Sequence, residues 1–311
     1  MACRDEIAGC SNLTYLFATE NNTCRWPTAE LCLKTCRECE RVNAARLCSS
    51  LADECSGSFC TGHANWRDFF HRVVDTQQGG AQILSEERPW VAEFPNFLSD
   101  KEADEIKRIG YGEGFREEDD LAHTIRNVSV TNCDSINCIR SPFINELYAR
   151  MSRLLQLPAR NFEAMEFLHY EPGQHYVWHR DEFGWKPSAP DPATVIAGPR
   201  VLTVFFYLST VEEGGETAFA GGPHDSKIAD SRFAGKKQVP SVLVKPRKGT
   251  AIMWANMKDS WQESEPASSH TALPVRVGIK WAATLWVHAH GFRIPELHAG
   301  RECSVRGPPP G

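Results

Sequence analysis

No stretch of this 311-residue chain approaches the roughly 20 consecutive apolar positions that a membrane-spanning helix requires. The longest uninterrupted apolar runs, residues 204–208 and 251–255, are the length of strands. Positive charge is not in excess either, since 34 Lys and Arg against 40 Asp and Glu leave a formal net charge of -6. That balance lacks the basic footprint with which a nucleic-acid binder meets phosphates, so no nucleic-acid partner is expected. There is no internal repeat. Nor does the chain open with a basic segment followed by an apolar stretch, because Met1-Ala2 runs straight into Cys3. The expectation is a trimmed chain without its targeting segment.

What is present is enough hydrophobic material, 41% of residues, for one sizeable domain with a core and a smaller companion. Cysteine is concentrated at one end: nine of the twelve fall between Cys3 and Cys60, where few apolar residues are available to hold a fold together. Clustering of that kind points to disulfides in an oxidising compartment, the endoplasmic reticulum lumen or secretory pathway. Sequons at Asn12, Asn21 and Asn127 agree with it. A zinc site is the competing explanation, but Cys36 and Cys39 are the only pair two residues apart, and no second such pair or histidine pair follows at finger spacing.

Four segments follow from these patterns. Residues 1–40 carry Cys3, Cys10, Cys24, Cys32, Cys36 and Cys39, and their ending Cys-Leu-Lys-Thr-Cys-Arg-Glu-Cys resembles the ShK-type toxin-like module. That resemblance implies the pairs Cys3 with Cys39, Cys10 with Cys32, and Cys24 with Cys36; the spacing alone allows any connectivity. Residues 41–85 are a connecting segment with Cys48, Cys55 and Cys60, in which residues 66–74 read as a short helix. Cys303 is the natural fourth partner there, and Cys133 with Cys138 can close a local loop. Residues 86–295 form the main domain and 296–311 a tail.

In the main domain, residues 90–94 read as a strand, and Ser99-Asp-Lys-Glu102 is a capping box that opens a helix which Gly110 can end. Ser141 as N-cap and Pro142 at the first helical position open a second helix. Its Phe143, Leu147, Met151 and Leu154 recur every three or four residues until Pro158. Beyond it the period shortens to strands at 164–170, 176–181, 201–208, 242–244, 251–254 and 279–287. The class is α+β, mainly β: a double-sheet barrel covered on one face by helices.

Within one of those strands stands His179-Arg180-Asp181, whose imidazole and carboxylate share a face while Arg180 points away. With one more imidazole they would form a two-histidine, one-carboxylate metal site with open coordination positions. Alone, a His-X-Asp is usually just a polar strand. Here it sits inside Tyr170-Glu-Pro-Gly-Gln-His-Tyr176-Val-Trp-His179-Arg-Asp181, followed by Gly214-Gly-Glu-Thr217-Ala-Phe219, by His270, and by Gly278-Ile-Lys280-Trp281.

This order and spacing, over residues 89–288, resembles the catalytic domain of the prolyl 4-hydroxylases. The resemblance implies a double-stranded β-helix, a jelly-roll or cupin-like core. It implies that His179, Asp181 and His270 bind Fe(II) and that Lys280 meets the distal carboxylate of 2-oxoglutarate. An ammonium buried there without a partner would be costly, which suits it to a carboxylate ligand. Tyr170 and Thr217 match positions whose hydroxyls assist that carboxylate, and Trp286 one that lines the pocket. Tyr176, Arg200 and His288 match positions facing a peptide at the barrel mouth. His169, His175 and His290 match no ligand role and read as ordinary polar residues, and the acidic run 117–120 as a solvated loop. Residues 187–200, rich in Pro and Ala, read as a loop shaping substrate preference. Thr271-Ala-Leu and Ala220 depart from the common family pattern at positions that touch no ligand.

The implied reaction is 4-hydroxylation of prolyl residues in a Pro-rich peptide or protein, with O2 as cosubstrate, ascorbate as a supporting cofactor, and succinate and CO2 as coproducts. A disulfide-isomerase-like subunit is a possible partner. Two other readings compete: hydroxylation of a free amino acid or other small molecule, and a ShK-type binding protein carrying a non-catalytic barrel. The C-terminal Arg306-Gly-Pro-Pro-Pro-Gly311 resembles a Pro-rich substrate, though a plain tail is the simpler reading.

Overall fold

A computed structural model describes residues 65–77, 79–117, 127–182, 199–220, 240–259, 261 and 263–289. The expected N-terminal module with its three disulfides, Cys48, Cys55, Cys60 and Cys303, most of the 187–200 loop, His290 and the tail lie outside the described residues. No helix among the described residues is long and apolar enough to cross a membrane.

Helix α1 (Trp66–Asp75) starts where the Asn65 side chain accepts a hydrogen bond from the Asp68 backbone N–H, a cap worth about 1 kcal/mol. Trp66, Phe69, Phe70 and Val73 follow an i, i+3, i+4, i+7 pattern, and all four are buried in the main core. Strand β1 (Gln82–Ser85) then pairs antiparallel with β2 (Val91–Phe94). A domain boundary at residue 86 therefore divides elements that pack together; α1 and β1 lie with the barrel.

Helix α2 (Asp100–Glu113) opens with the expected reciprocal Ser99–Glu102 capping box. Its end is different from the expectation. Gly110 is buried inside the helix, and a Cβ there would lie 2.7 Å from the Phe167 ring. That glycine lets the helix close onto the sheet, while Gly114, at φ 78°, ends it. Strands β3 (Arg116–Glu117) and β4 (Ser129–Asn132) precede the short helix α3 (Ile136–Ile139). A Cys133–Cys138 disulfide spans this turn with Cα atoms 5.3 Å apart. Helix α4 (Pro142–Leu155) has Ser141 as its cap and Pro142 in its first turn, buries Ile144, Leu147, Tyr148 and Met151, and stops at left-handed Gln156.

The remaining strands are β5 (Glu166–Tyr170), β6 (Tyr176–His179), β7 (Arg200–Tyr207), β8 (Glu213–Gly214), β9 (Thr217–Phe219), β10 (Val242–Val244), β11 (Ala251–Ala255), β12 (His270–Ala272), β13 (Val275–Val277) and β14 (Lys280–His288). An eight-stranded sheet runs β1-β2-β11-β7-β14-β5-β4-β3, a four-stranded sheet runs β10-β9-β12-β6, and β13 pairs with β8. The result is mainly β with few helices, consistent with a jelly-roll core.

Period-two alternation decides which side chains face the barrel interior. On β7, Val204 and Phe206 join the core under the helices, whereas Phe205 and Tyr207 join the cluster shared with β9, β10 and β12. On β11, Met253 takes the first side and Ile252 and Trp254 the second. On β14, Ala283, Leu285 and Val287 pack under the helices. Lys280, Ala282, Thr284 and Trp286 have the opposite parity and are thereby aimed inward.

Candidate active site

His270 and His179 sit directly opposite each other in the β12–β6 pairing, with ring centroids 4.2 Å apart. Asp181 lies just beyond β6 rather than within it: the strand ends at His179 and a turn carries the carboxylate back. Arg180 points away and pairs with Glu182 at 3.2 Å. Asp181 Oδ1 is 3.7 Å from Nε2 of both histidines, and one ligand atom from each of the three residues lies within 4.8 Å of the others.

Each imidazole is oriented from behind. His179 Nδ1 is 2.8 Å from the Val177 carbonyl and His270 Nδ1 is 3.0 Å from the Ser268 carbonyl. A carbonyl only accepts, so Nδ1 carries the proton and the Nε2 lone pair is left toward the shared centre. Asp181 is buried, which opposes ionisation, yet the positive charge of His270 and His179 in their protonated forms, and of Arg200, holds its carboxyl below the usual range. Two neutral imidazoles and one carboxylate with room beside them form the donor set that suits non-haem Fe(II).

A narrow, partly open cavity adjoins the three ligands. Its walls include Leu168, Tyr170, Tyr176, Phe205, Thr217, Trp254, Thr284 and Trp286. Tyr176 stacks on His179 at 3.6 Å, and Trp254 meets His270 edge-on at 4.7 Å. Nε1 of Trp254 and of Trp286 has no hydrogen-bond partner among the described residues.

Behind this lining lies Lys280, fully buried and paired across the sheet with Tyr170. Its Nζ is 5.0, 5.4 and 5.7 Å from the rings of Tyr170, Phe205 and Tyr207, and it has no hydrogen-bond partner among the described residues. Burial pushes its pKa down to about 7, against the pull of Glu216. An orphaned ammonium beside a cavity with unpaired donors is what an acidic ligand such as 2-oxoglutarate requires. Tyr207 donates to Thr217 Oγ1 at 2.8 Å, and burial pushes its phenol pKa up.

The turn before β9 is set by Gly214. At φ 80°, a Cβ there would sit 2.2 Å from the Pro274 carbonyl oxygen, so only glycine lets β8 lie this close to the segment leading into β13.

Two of the three residues expected at the mouth, Arg200 and His288, converge on one that sequence reasoning passed over. Glu163 takes two hydrogen bonds from Arg200, from Nε and, at 2.8 Å, from Nη2. It also lies 2.6 Å from His288 Nε2. Arg200 rests on the Trp286 ring at 3.7 Å, and its Nη1 approaches the Asp181 carbonyl at 3.4 Å. His288 is only 2% exposed, so it braces Glu163 rather than projecting freely outward. Burial alone would raise the Glu163 pKa, but Arg200 and His288 hold it at about 2. His169 lies tilted against Trp281, with ring centroids 4.2 Å apart, away from the site.

A two-sheet barrel presenting a two-histidine, one-carboxylate cluster beside a buried lysine defines the non-haem oxygenase class, and comparison with known proteins specifies it further. Residues 165–288 match the model of the 2OG-Fe(II) oxygenase superfamily. Probable prolyl 4-hydroxylase 7 of Arabidopsis thaliana is 32% identical over 211 residues, covering 66% of this chain and 64% of that protein. Prolyl 4-hydroxylase 2 of the same plant is 30% identical over 229 residues, covering 70% of this chain and 73% of that protein. A viral collagen prolyl hydroxylase from Paramecium bursaria Chlorella virus-1, solved as a 2-oxoglutarate complex, is 24% identical at a TM-score of 0.47, covering 64% of this chain and 95% of that one. The chain belongs to the prolyl 4-hydroxylase family of 2-oxoglutarate- and Fe(II)-dependent oxygenases.

Proposed function

We propose that this protein hydroxylates prolyl residues at C4 in Pro-rich peptides or proteins, with Fe(II) held by His179, Asp181 and His270. When bound, iron and 2-oxoglutarate supply the oxidation, which consumes O2 and yields succinate and CO2. The observation that carries the reading is the pairing of a three-donor cluster with an orphaned, fully buried Lys280 beside one cavity.

The protein's own work is binding, orientation and exclusion of water. The Val177 and Ser268 carbonyls fix both imidazoles in the ligating tautomer. Lys280 takes the distal carboxylate of the keto acid, with the hydroxyls of Tyr170 and Thr217 on the same side. Leu168, Phe205 and Trp254 keep the cavity wall apolar. Arg200, clamped by Glu163 and braced by His288, supports the Trp286 wall, and Tyr176 flanks His179 on the approach side. Arg200, Tyr176 and His288 are the residues assigned to peptide recognition in this reading.

Ascorbate as a supporting reductant, residence in the secretory pathway and an N-terminal ShK-type module complete the proposal; cysteine density and sequons support the last two. The test is 2-oxoglutarate decarboxylation by the purified full chain with Fe(II) and ascorbate, on Pro-rich peptides and on free proline, with mass spectrometry of the peptides. The expected result is a gain of one oxygen on prolyl residues only. Turnover of free proline in preference to every peptide overturns the peptide reading, and no succinate with any substrate overturns the enzymatic one.

A further inference from the structure

Two buried polar side chains behind Asp181 have no part in the site described above. Thr203 lies on β7 and Asn256 follows β11; both are fully buried. Thr203 Oγ1 donates to Asp181 Oδ2 at 2.8 Å, and Asn256 Nδ2 donates to Thr203 Oγ1 at 2.8 Å. Asn256 is held at both backbone groups: its N–H donates to the Val201 carbonyl at 3.0 Å and its carbonyl accepts from Glu265 N–H at 2.9 Å.

The direction of this chain of hydrogen bonds is fixed by chemistry. An amide NH2 only donates, so it occupies the Thr203 oxygen as an acceptor and turns the hydroxyl proton toward the carboxylate. Asp181 Oδ2 is thereby engaged from within the large sheet. The other oxygen, Oδ1, is the one equidistant from the two imidazole Nε2 atoms. Between apolar strands, a valine and a leucine would pack without the desolvation cost of two polar groups.

We propose that Thr203 and Asn256 are positioning residues that hold Asp181 as a one-oxygen ligand, with Asn256 acting only through Thr203. This rests on the assignment of the three-residue metal site. A carboxylate free to swing would offer both oxygens to the cation and fill a position needed by the cosubstrate; the relay keeps that position open.

The test is Co(II) binding to the full-length, metal-free protein, read by titration and by the visible d–d spectrum, so that no turnover is required. Wild type binding no Co(II) refutes the metal site itself. Given binding, Thr203→Val, which keeps the shape and removes the hydroxyl, is expected to weaken it about 10- to 100-fold, the usual effect of losing a group that orients a ligand. It is also expected to shift the d–d bands as the second oxygen engages. Thr203→Ser restores both, and thermal melting of each variant reports folding. Asn256→Leu is expected to give a smaller loss. The Thr203→Val, Asn256→Leu double variant then binds no more weakly than Thr203→Val alone. Wild-type affinity and spectrum in Thr203→Val, failure of serine to rescue, or additive losses in the double variant would each overturn the relay.

Discussion

His179 and His270 face each other across two paired strands, and each is anchored through Nδ1 to the carbonyl two residues before it, Val177 and Ser268. One backbone device, used twice, preorients both imidazoles for a single centre. Replacing either by alanine is expected to abolish succinate production. His179→Ala should leave the thermal midpoint close to wild type because that ring is partly exposed, whereas His270→Ala should lower it, because that ring is buried against Trp254 and Phe219. Retained turnover in either variant would refute the triad.

Lys280 predicts opposite effects on stability and on cosubstrate binding. Lys280→Met keeps the volume and removes an unpaired buried charge, so the ligand-free variant is expected to melt higher than wild type at pH 6. Loss of a buried charge partner costs roughly 2–5 kcal/mol, so the KM for 2-oxoglutarate is expected to rise by tens- to thousands-fold. A lower melting point together with an unchanged KM contradicts both roles.

The same residue sets a pH dependence. Its folded-state pKa is about 7 against an ordinary 10.5. Below pH 7 both folded and unfolded chains carry the proton, and the folded one bears the full cost of burying it. Between pH 7 and 10.5 the unfolded chain binds more protons, so the stability of the ligand-free protein gains a contribution that rises through that window. Binding of a dicarboxylate requires the charged form. It should therefore take up a proton above pH 7, measurable by calorimetry in buffers of different ionisation enthalpy, and the Met variant should not.

For Glu163 the sign reverses. A carboxyl held at about 2 against an ordinary 4.5 contributes stability above pH 4.5 that is lost as pH falls from 4.5 to 2. Glu163→Gln leaves Arg200 without its carboxylate and is expected to cost about 3–5 kcal/mol at pH 7. It should also flatten the acid limb of the stability curve. Denaturant melts from pH 7 to pH 3 check both, and a variant with wild-type slope and stability would remove Glu163 from its bracing role.

At Gly214, a Cβ would meet a backbone oxygen at 2.2 Å with φ at 80°. Gly214→Ala is expected to destabilise by more than the 1–3 kcal/mol of backbone strain alone, read as a fall in melting temperature. Gly112, where an added Cβ meets nothing within 4 Å, is the control.

What the sequence revealed, and what it did not, follows from burial. Residues 201–208, 251–254 and 279–287 stood out because buried strands are continuous apolar runs, and β7, β11 and β14 lie where those runs are. Strands β1, β3, β4, β8, β9, β12 and β13 have two to four residues each and, unlike the equally short all-apolar β10, interrupt or lack an apolar run, so they leave no strand signal although β9 and β12 carry Thr217 and His270. Gly110 looked like a helix terminator because sequence cannot distinguish a glycine that ends a helix from one admitting a neighbouring ring. In the site, motif order singled out His179, Asp181, His270 and Lys280, and all four are found around one cavity or directly behind it. Glu163, Thr203, Tyr207 and Asn256 left no local signal. A lone threonine in an apolar strand is legible only once the strand's neighbours are known.

Helix α1 has a consequence for how this enzyme is partitioned. Trp66, Phe69, Phe70 and Val73 are walls of the principal core, and Trp66 Nε1 donates to the Met257 carbonyl at 2.8 Å. Excision at residue 86 would strip an aromatic plug from behind Trp90, and the shortened chain is expected to aggregate. A truncation that spares the barrel must therefore retain the chain from Asn65 onward, because α1 is itself part of the body that carries the metal cluster.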